Sequence, residues 1–450
     1  MNIVVAGGGK IGSVLIDFLS QEGHDIVLID KDENVLDTLI NQNDITGLVG
    51  QAENYEDLME AGTHQADIFI AVTAKDEVNI ISSLIAKKVG AKATVARVRN
   101  PDYKKHKDFF NNEMGISLIV NPELESAKEM KKLLSYPESL SVESFENGTV
   151  NIHEFKVDEK SSLVGSDLFS FRKDYGDVLV VMIKRGAEVI IPSGPTTILA
   201  DDRIFVTGDE TCISSFIESL GINERKTKSI MMVGGGIAGY YLLEMVKNSG
   251  IHVKIIENNE KKARTLSQAF PNLEIIKGDG TDQALLDEER IETYDAFIAY
   301  TGIDEENLLT SLYAQKKGVY KILTKVSRTA LLELLDDANQ NSVISPKTYA
   351  ANHILKFVRN LQFHDSSEVE AIHKIADSKA EVSQILIINE SKVIGKKLMD
   401  LNISPRTMLA AIIRDNKLIF PGGSSQILLN DRLIIVSTDK IRTIEDILGD

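Results

Sequence analysis

Short apolar runs recur along the chain at Ile3–Ala6, Ile26–Ile29, Ile45–Val49, Ile68–Val72, Ala93–Val98 and Ile116–Val120. Segments with helix-like spacing of apolar residues lie between them. Runs that are apolar on successive residues read as strands buried on both faces, and such strands pair in parallel only through crossover connections. The pattern therefore predicts an α/β chain with a doubly wound parallel sheet and a ligand cleft at the carboxyl ends of its strands. Asn121-Pro122-Glu123 opens a further helix, with proline at the first helical position, that runs through Leu133-Leu134. After Ser135-Tyr136-Pro137 the texture changes. Val178–Ile183, a turn at Arg185-Gly186, Val189–Ile191, Pro192-Ser193-Gly194 and then Asp201-Asp202-Arg203 leading into Ile204–Val206 predict a small α+β module.

The whole arrangement then comes round again. Met231-Met232-Val233 and the glycines after it repeat Ile3-Val4-Val5 and theirs, with Gly234 standing 227 residues after Gly7. Glu257 follows Asp30 by the same 227, Asp304-Glu305-Glu306-Asn307 answers Asp76-Glu77-Val78-Asn79, and Pro421-Gly422-Gly423 answers Pro192-Ser193-Gly194. A duplicated unit is implied, ordered large, small, large, small. The expected domains are 1–135, 140–222, 228–362 and 368–450, with the polar stretch Asn223-Glu224-Arg225-Lys226-Thr227-Lys228 as the link between halves.

What the first large unit holds at its head is a strand, the turn Gly7-Gly8-Gly9-Lys10-Ile11-Gly12, a helix, and a second strand ending on Asp30. Each part has a task when a dinucleotide binds. Gly7 makes the turn, Gly9 leaves room for the pyrophosphate, Gly12 lets helix approach strand, and the helix N-terminus offers unpaired N–H groups to phosphate. Asp30 suits the ribose hydroxyls, and its charge would repel the extra phosphate of NADP. The second copy supplies Gly234, Gly236, Ile237, Ala238, Gly239 and Glu257. Both large units are thus expected to be Rossmann-like.

Three further pairs sit at strand ends in both copies. Gln51 and Asp279 follow a glycine at the third strand and face the adenine side; Thr73 and Thr301 end the fourth. Arg97 and Lys325 lie near the end of the fifth, with reach toward a diphosphate. The first turn carries Lys10 where the second has Ile237, and arginine can bind two oxygens at once where lysine is a point charge. The first site is therefore expected to hold a diphosphate more tightly.

Charge and cysteine content narrow the function. A net charge of −17 leaves no surplus of cations for nucleic acid or an anionic bilayer. One cysteine, Cys212, excludes an internal disulfide and cysteine metal clusters and fits a reducing cytosol. The chain enters a strand without a charged leader and has no run long enough to span a bilayer, so a soluble protein is expected. His24, His64, His106, His153, His252, His353, His364 and His373 show no catalytic spacing and read as surface or helix-end residues. No HExxH, CxxC, GxSxG or P-loop occurs, and runs such as Asp287-Glu288-Glu289 read as solvated helix faces. The residues describe a cofactor cleft without chemistry attached.

With Gly7-Gly8-Gly9-Lys10-Ile11-Gly12 and Asp30, Ala71-Val72-Thr73 with Asp76-Glu77-Val78-Asn79, Arg97, and their second-half counterparts, the whole chain resembles the Trk-type potassium-uptake regulatory subunits. Its halves are similar to RCK (KTN) domains. One departure is Gln51, where that family usually has an acid, as Asp279 is in the second half. The resemblance implies a non-enzymatic subunit that binds NAD(H), with ATP or ADP as further candidates. It also implies assembly into a homo-oligomeric ring, a tetramer, on the cytoplasmic face of a TrkH- or TrkG-like potassium translocator. The helices opening near Pro122 and Pro346 are the expected subunit contacts. An NAD-dependent dehydrogenase of unknown substrate, and a nucleotide-sensing scaffold with another partner, stay open as alternatives.

Overall fold

In a computed structural model of the chain, residues 1–104, 109–145, 148–219, 226–328, 341–363, 368–376 and 379–449 are described. Residues 223–225 of the expected link 223–228, together with His106 and His364, lie outside the described residues. The first six apolar runs form one parallel sheet from Asn2–Ala6, Asp25–Asp30, Thr46–Val49, Ile68–Ala71, Ala93–Arg97 and Leu118–Val120, in the order 3-2-1-4-5-6. Ser229–Val233, His252–Glu257, Glu274–Lys277, Ala296–Ala299, Lys321–Lys325 and Asn341–Ile344 form a second sheet in the same order. The central strands are buried along almost their whole length, as continuous apolar runs require.

The helix Lys10–Gln21 packs on the first sheet through Ile11, Gly12, Leu15, Ile16 and Leu19, a stripe at helical spacing. Its counterpart Ile237–Val246 buries Ala238, Gly239, Tyr241, Leu242, Leu243 and Val246. By contacts the chain divides into two compact units, one made of Met1–Lys131, Lys228–Asp337 and Val343–Val358 and the other of Lys132–Thr227, Ala338–Ser342 and Arg359–Asp450. The first unit contains both parallel sheets.

The second unit holds two antiparallel five-stranded sheets. Ser141–Phe145 and Val150–Lys156 join Leu179–Arg185, Glu188–Ile190 and Arg203–Thr207 in one of them. The other is built from Val369–Ile375, Ala380–Leu386, Thr407–Arg414, Lys417–Ile419 and Arg432–Ser437. The two sheets share a core in which Phe145, Val181, Met182 and Phe205 meet Val382, Ala410, Ile413 and Ile434. Matching pairs on buried aspartates hold the turns: Arg185 grips Asp202 through Nε and Nη2 at 2.8 Å, and Arg414 grips Asp431 at 2.7 Å. Among the described residues no helix is long and apolar enough to cross a membrane.

The helices at Pro122–Ser135 and Pro346–Phe363 spend their apolar faces inside the chain. Ala127, Met130, Leu133 and Leu134 are buried on one, and Ala350, Ala351, Ile354, Leu355 and Val358 on the other. Two of the histidines read as surface or helix-end residues are buried: His24, just past the end of the helix Lys10–Gln21 and beside the N-terminus, and His153, against the Ser139 hydroxyl at 3.1 Å. Burial, reinforced by the charge of Lys132, drives the His153 imidazole down to about 4.

Candidate functional site

Each glycine corner is a strand end that turns sharply into a helix. Gly7 has φ +103° and Gly234 +101°, in the left-handed region open to glycine. A Cβ on Gly12 would stand 1.9 Å from the Gly7 carbonyl oxygen, so helix and turn touch there through backbone. The helix N-caps, Gly9 and Gly236, bring no side-chain cap, and the space beside each is open. The first N–H groups of both helices are thereby left for a ligand.

The acids behind the corners are tied to them. Asp30 accepts from Gly8 N–H at 2.7 Å and from Asp32 N–H at 3.0 Å. Glu257 accepts from Gly235 N–H at 2.7 Å and Asn259 N–H at 2.8 Å, and is buried. Each carboxylate has lone pairs left over, so it can shape the turn and still receive a ribose hydroxyl.

At the strand tips the clamp is an asparagine that the repeat displayed but that had no assigned role. Asn79 Oδ1 takes the Thr73 N–H at 2.8 Å and the Thr73 hydroxyl at 2.7 Å, while its amide donates to the carbonyls of Thr73 and Arg97. Asn307 likewise takes the Thr301 N–H at 2.7 Å and donates to the Lys325 carbonyl at 3.1 Å, while the Thr301 hydroxyl donates instead to the Ile303 carbonyl at 3.2 Å and the Glu306 carboxylate at 3.3 Å. Asp76 and Asp304 hold the turns that follow the fifth strands through pairs of backbone N–H groups. The conspicuous Asp-x-x-Asn repeat is therefore a brace that fixes the ends of neighbouring strands at the cleft.

Both strand-end bases are anchored as well. Arg97 Nη1 donates to the Thr73 carbonyl at 3.1 Å, and Lys325 Nζ to the Thr301 carbonyl at 2.9 Å. Burial lowers the affinity of both for their protons. Gln51 is exposed, and its N–H is taken by Asp57 at 2.7 Å, which puts a carboxylate at this tip from six residues further on. Asp279 caps its own loop through Thr281. Lys10 is exposed at the first corner.

A cleft of about 660 Å³ brings together Gly234, Gly236, Ile237, Ala238, Glu257, Asp279, Thr301 and Lys325 of the expected second site. That volume suits a nucleotide-sized ligand. Gly239, the third residue of the helix, does not line it. Two lining residues come from the first half, Arg99 and Glu123. Neither was singled out from sequence, because a contact more than a hundred residues away leaves no local trace.

Models of the TrkA-N domain match residues 3–122 and 230–346, and models of the TrkA-C domain match 152–221 and 382–449. The chain belongs to the TrkA potassium-uptake family. Family members named as Trk system potassium uptake proteins include one from Archaeoglobus fulgidus, 30% identical over 99% of this chain and 100% of its own. Another, from Haemophilus influenzae, is 30% identical over 98% of this chain and 96% of its own. Among solved structures, the GsuK RCK domain covers 99% of this chain and 92% of its own with TM-score 0.62 at 16% identity. The GsuK channel bound to NAD covers 99% and 77% with TM-score 0.61 at 15% identity. The fold of two parallel six-stranded sheets with antiparallel modules is thus shared with RCK domains.

Proposed function

We propose that this TrkA-family chain is a regulatory subunit that binds NAD(H) in its glycine corners and gates a TrkH- or TrkG-like potassium translocator from the cytoplasmic face of the membrane. ATP and ADP are the competing ligands. The observation that carries the reading is the pair of open helix N-termini, each backed by a carboxylate that still has room for a ribose. The solved relative with NAD bound lends support through its fold.

The lever is conformational. A nucleotide shifts the protein between states by no more than its difference in affinity for them. A swing from 1:99 to 99:1 takes about 5.5 kcal/mol, which several clefts in a ring can share. Assembly into that ring is supported by an apolar face repeated in register: Ile81 on the helix Asp76–Val89 and Leu309 on the helix Asp304–Lys316 are both exposed and stand 228 residues apart. The test is potassium flux through the reconstituted translocator as NADH, NAD+ and ATP are exchanged. Flux that ignores all three, or steady oxidation of NADH by the chain alone, rejects the reading.

A further inference from the structure

A dinucleotide laid across a sheet of this order places its diphosphate at the first strand's glycine corner and one ribose at the acid ending the second. Its remaining half then passes over the ends of the fourth and fifth strands. In the second sheet those ends are Thr301 and Lys325, and it is here that Arg99 and Glu123 of the first half join the cleft lining.

Both residues are held for the purpose. Arg99 follows the fifth strand of the first sheet, where Asp76 takes its backbone N–H at 2.9 Å and lies 3.4 Å from its Nε. Its Nη2 donates to the Ala74 carbonyl at 2.7 Å, and its carbonyl accepts from the Asn121 amide at 3.0 Å and from the Tyr241 hydroxyl at 3.3 Å. Tyr241 belongs to the very helix that starts at the second glycine corner. No bond within the described residues is drawn from its Nη1, and the side chain lines the cleft. Glu123, in the first turn of the helix Pro122–Ser135, has a buried Oε2 that receives no hydrogen bond among the described residues. A buried acceptor left empty in a native fold calls for a partner. Burial also raises the affinity of this carboxyl for its proton, against the pull of Arg97.

We infer that the second cleft is completed from the first half, with Arg99 binding a phosphate and Glu123 accepting from a ribose hydroxyl or carboxamide N–H beyond it, so that this cleft selects a dinucleotide over a nucleoside triphosphate. The inference rests on the nucleotide-site reading given above. A third phosphate would carry its charge to the place where Glu123 stands, whereas the second ribose of a dinucleotide brings donors there. The opposite cleft has no such pair in register, because Arg99 is matched by Ser327 and Glu123 by Lys347. The two clefts therefore differ in what lies past the diphosphate.

The test uses the full chain with Asp30→Ala to silence the first cleft, in magnesium-free buffer, and follows NADH, ATP and adenosine binding by calorimetry. Arg99→Ala should weaken NADH and ATP by about tenfold or more while leaving adenosine unchanged. Glu123→Gln should weaken NADH and strengthen ATP, so that the preference between them shrinks at least about fivefold. Arg99→Gln, which keeps the aliphatic stem, replaces Arg99→Ala if that variant melts early. If both substitutions leave NADH and ATP within twofold while Glu257→Ala abolishes binding, the inference fails and the nucleotide site stands. Should the unaltered chain bind no nucleotide, both fall together.

Discussion

The two large sheets share strand order, glycine corner, acid and brace, yet what surrounds each corner has gone separate ways. At the first, helix meets turn with no space between them, and a cation, Lys10, stands exposed beside the cap. At the second, the gap is wider, the corresponding residue is Ile237, and a buried glutamate replaces a half-buried aspartate. Burial and the like charge of Lys10 both lower the proton affinity of Lys347, the counterpart of Glu123, although Asp304 opposes them. Duplication thus kept the backbone that makes a site and let the charges that choose a ligand diverge. The first corner has the cations Lys10 and Lys347 beside it, where the second has Arg99 and Glu123.

The sharpest way to break this comparison is one methyl group placed at equivalent positions. Gly12→Ala sets its Cβ 1.9 Å from the Gly7 carbonyl, so strand turn and helix must part. A loss of about 3 kcal/mol or more is expected, along with nucleotide binding at the first cleft. Gly239→Ala meets the Gly234 carbonyl at 3.3 Å, and alanine recovers helix propensity, so its net effect should stay within about 1 kcal/mol. Thermal melts and titrations of the two variants decide it; equal damage would mean that the corners are interchangeable.

Acid should separate the small modules in the same manner. His153 is buried with a pKa of about 4, whereas Ser383 occupies its place in the second module. The unfolded chain takes up this proton near pH 6.5 and the folded chain only near 4. Stability is therefore full above pH 6.5 and falls as pH drops toward 4, by about 3 kcal/mol at most. His153→Gln should flatten that slope in unfolding measured between pH 7 and 4. A slope that persists unchanged would show that other groups set it.

The acids rank third. Each acid frees two N–H groups when lost: Glu257→Ala strands that of Gly235 in a buried place and that of Asn259 in a half-buried one, whereas Asp30→Ala frees that of Gly8 in a half-buried place and that of Asp32, which can turn to water. Costs of about 2 to 3 kcal/mol and about 1 kcal/mol are expected, in that order. Chemical denaturation checks the ranking, and a reversed order would undo the claim that the second acid is the more structural one.

How much of this could be read beforehand follows from the range of each interaction. Strands and glycine corners were legible because Ile3–Ala6 or Gly7–Gly12 carry their pattern within a few residues. The acids were legible because Asp30 lies one crossover away at a spacing the fold fixes. Asn79 and Asn307 were visible as a repeat, but their role emerged only when two strand tips met. Asp57 stood in for the missing acid at Gln51 by reaching back around a loop. The burial of His24 and His153 was not legible, because a single histidine gives no periodic signal. Arg99 and Glu123 were illegible in principle, since they act on a corner built more than a hundred residues later.

The smallest expected effect probes the tie between the halves directly. The Tyr241 hydroxyl accepts from the Asn121 amide at 2.9 Å and donates to the Arg99 carbonyl at 3.3 Å, joining the second phosphate-facing helix to the residue that enters its cleft. Its counterpart in the first half, 227 residues earlier, is Val14, which cannot make such a bond. Tyr241→Phe keeps the ring that packs in the interior, and Asn121 keeps both the Arg99 carbonyl and its cap on Leu124 N–H at 2.9 Å. What goes is the link alone, worth about 1 kcal/mol. Because that energy positions Arg99 only in part, NADH affinity at the second cleft should fall about two- to threefold while the first is untouched. Titration of each cleft with the other silenced reads the difference. An equal loss at both would mean that the hydroxyl supports packing in general, and that the asymmetry between the clefts does not run through this bond.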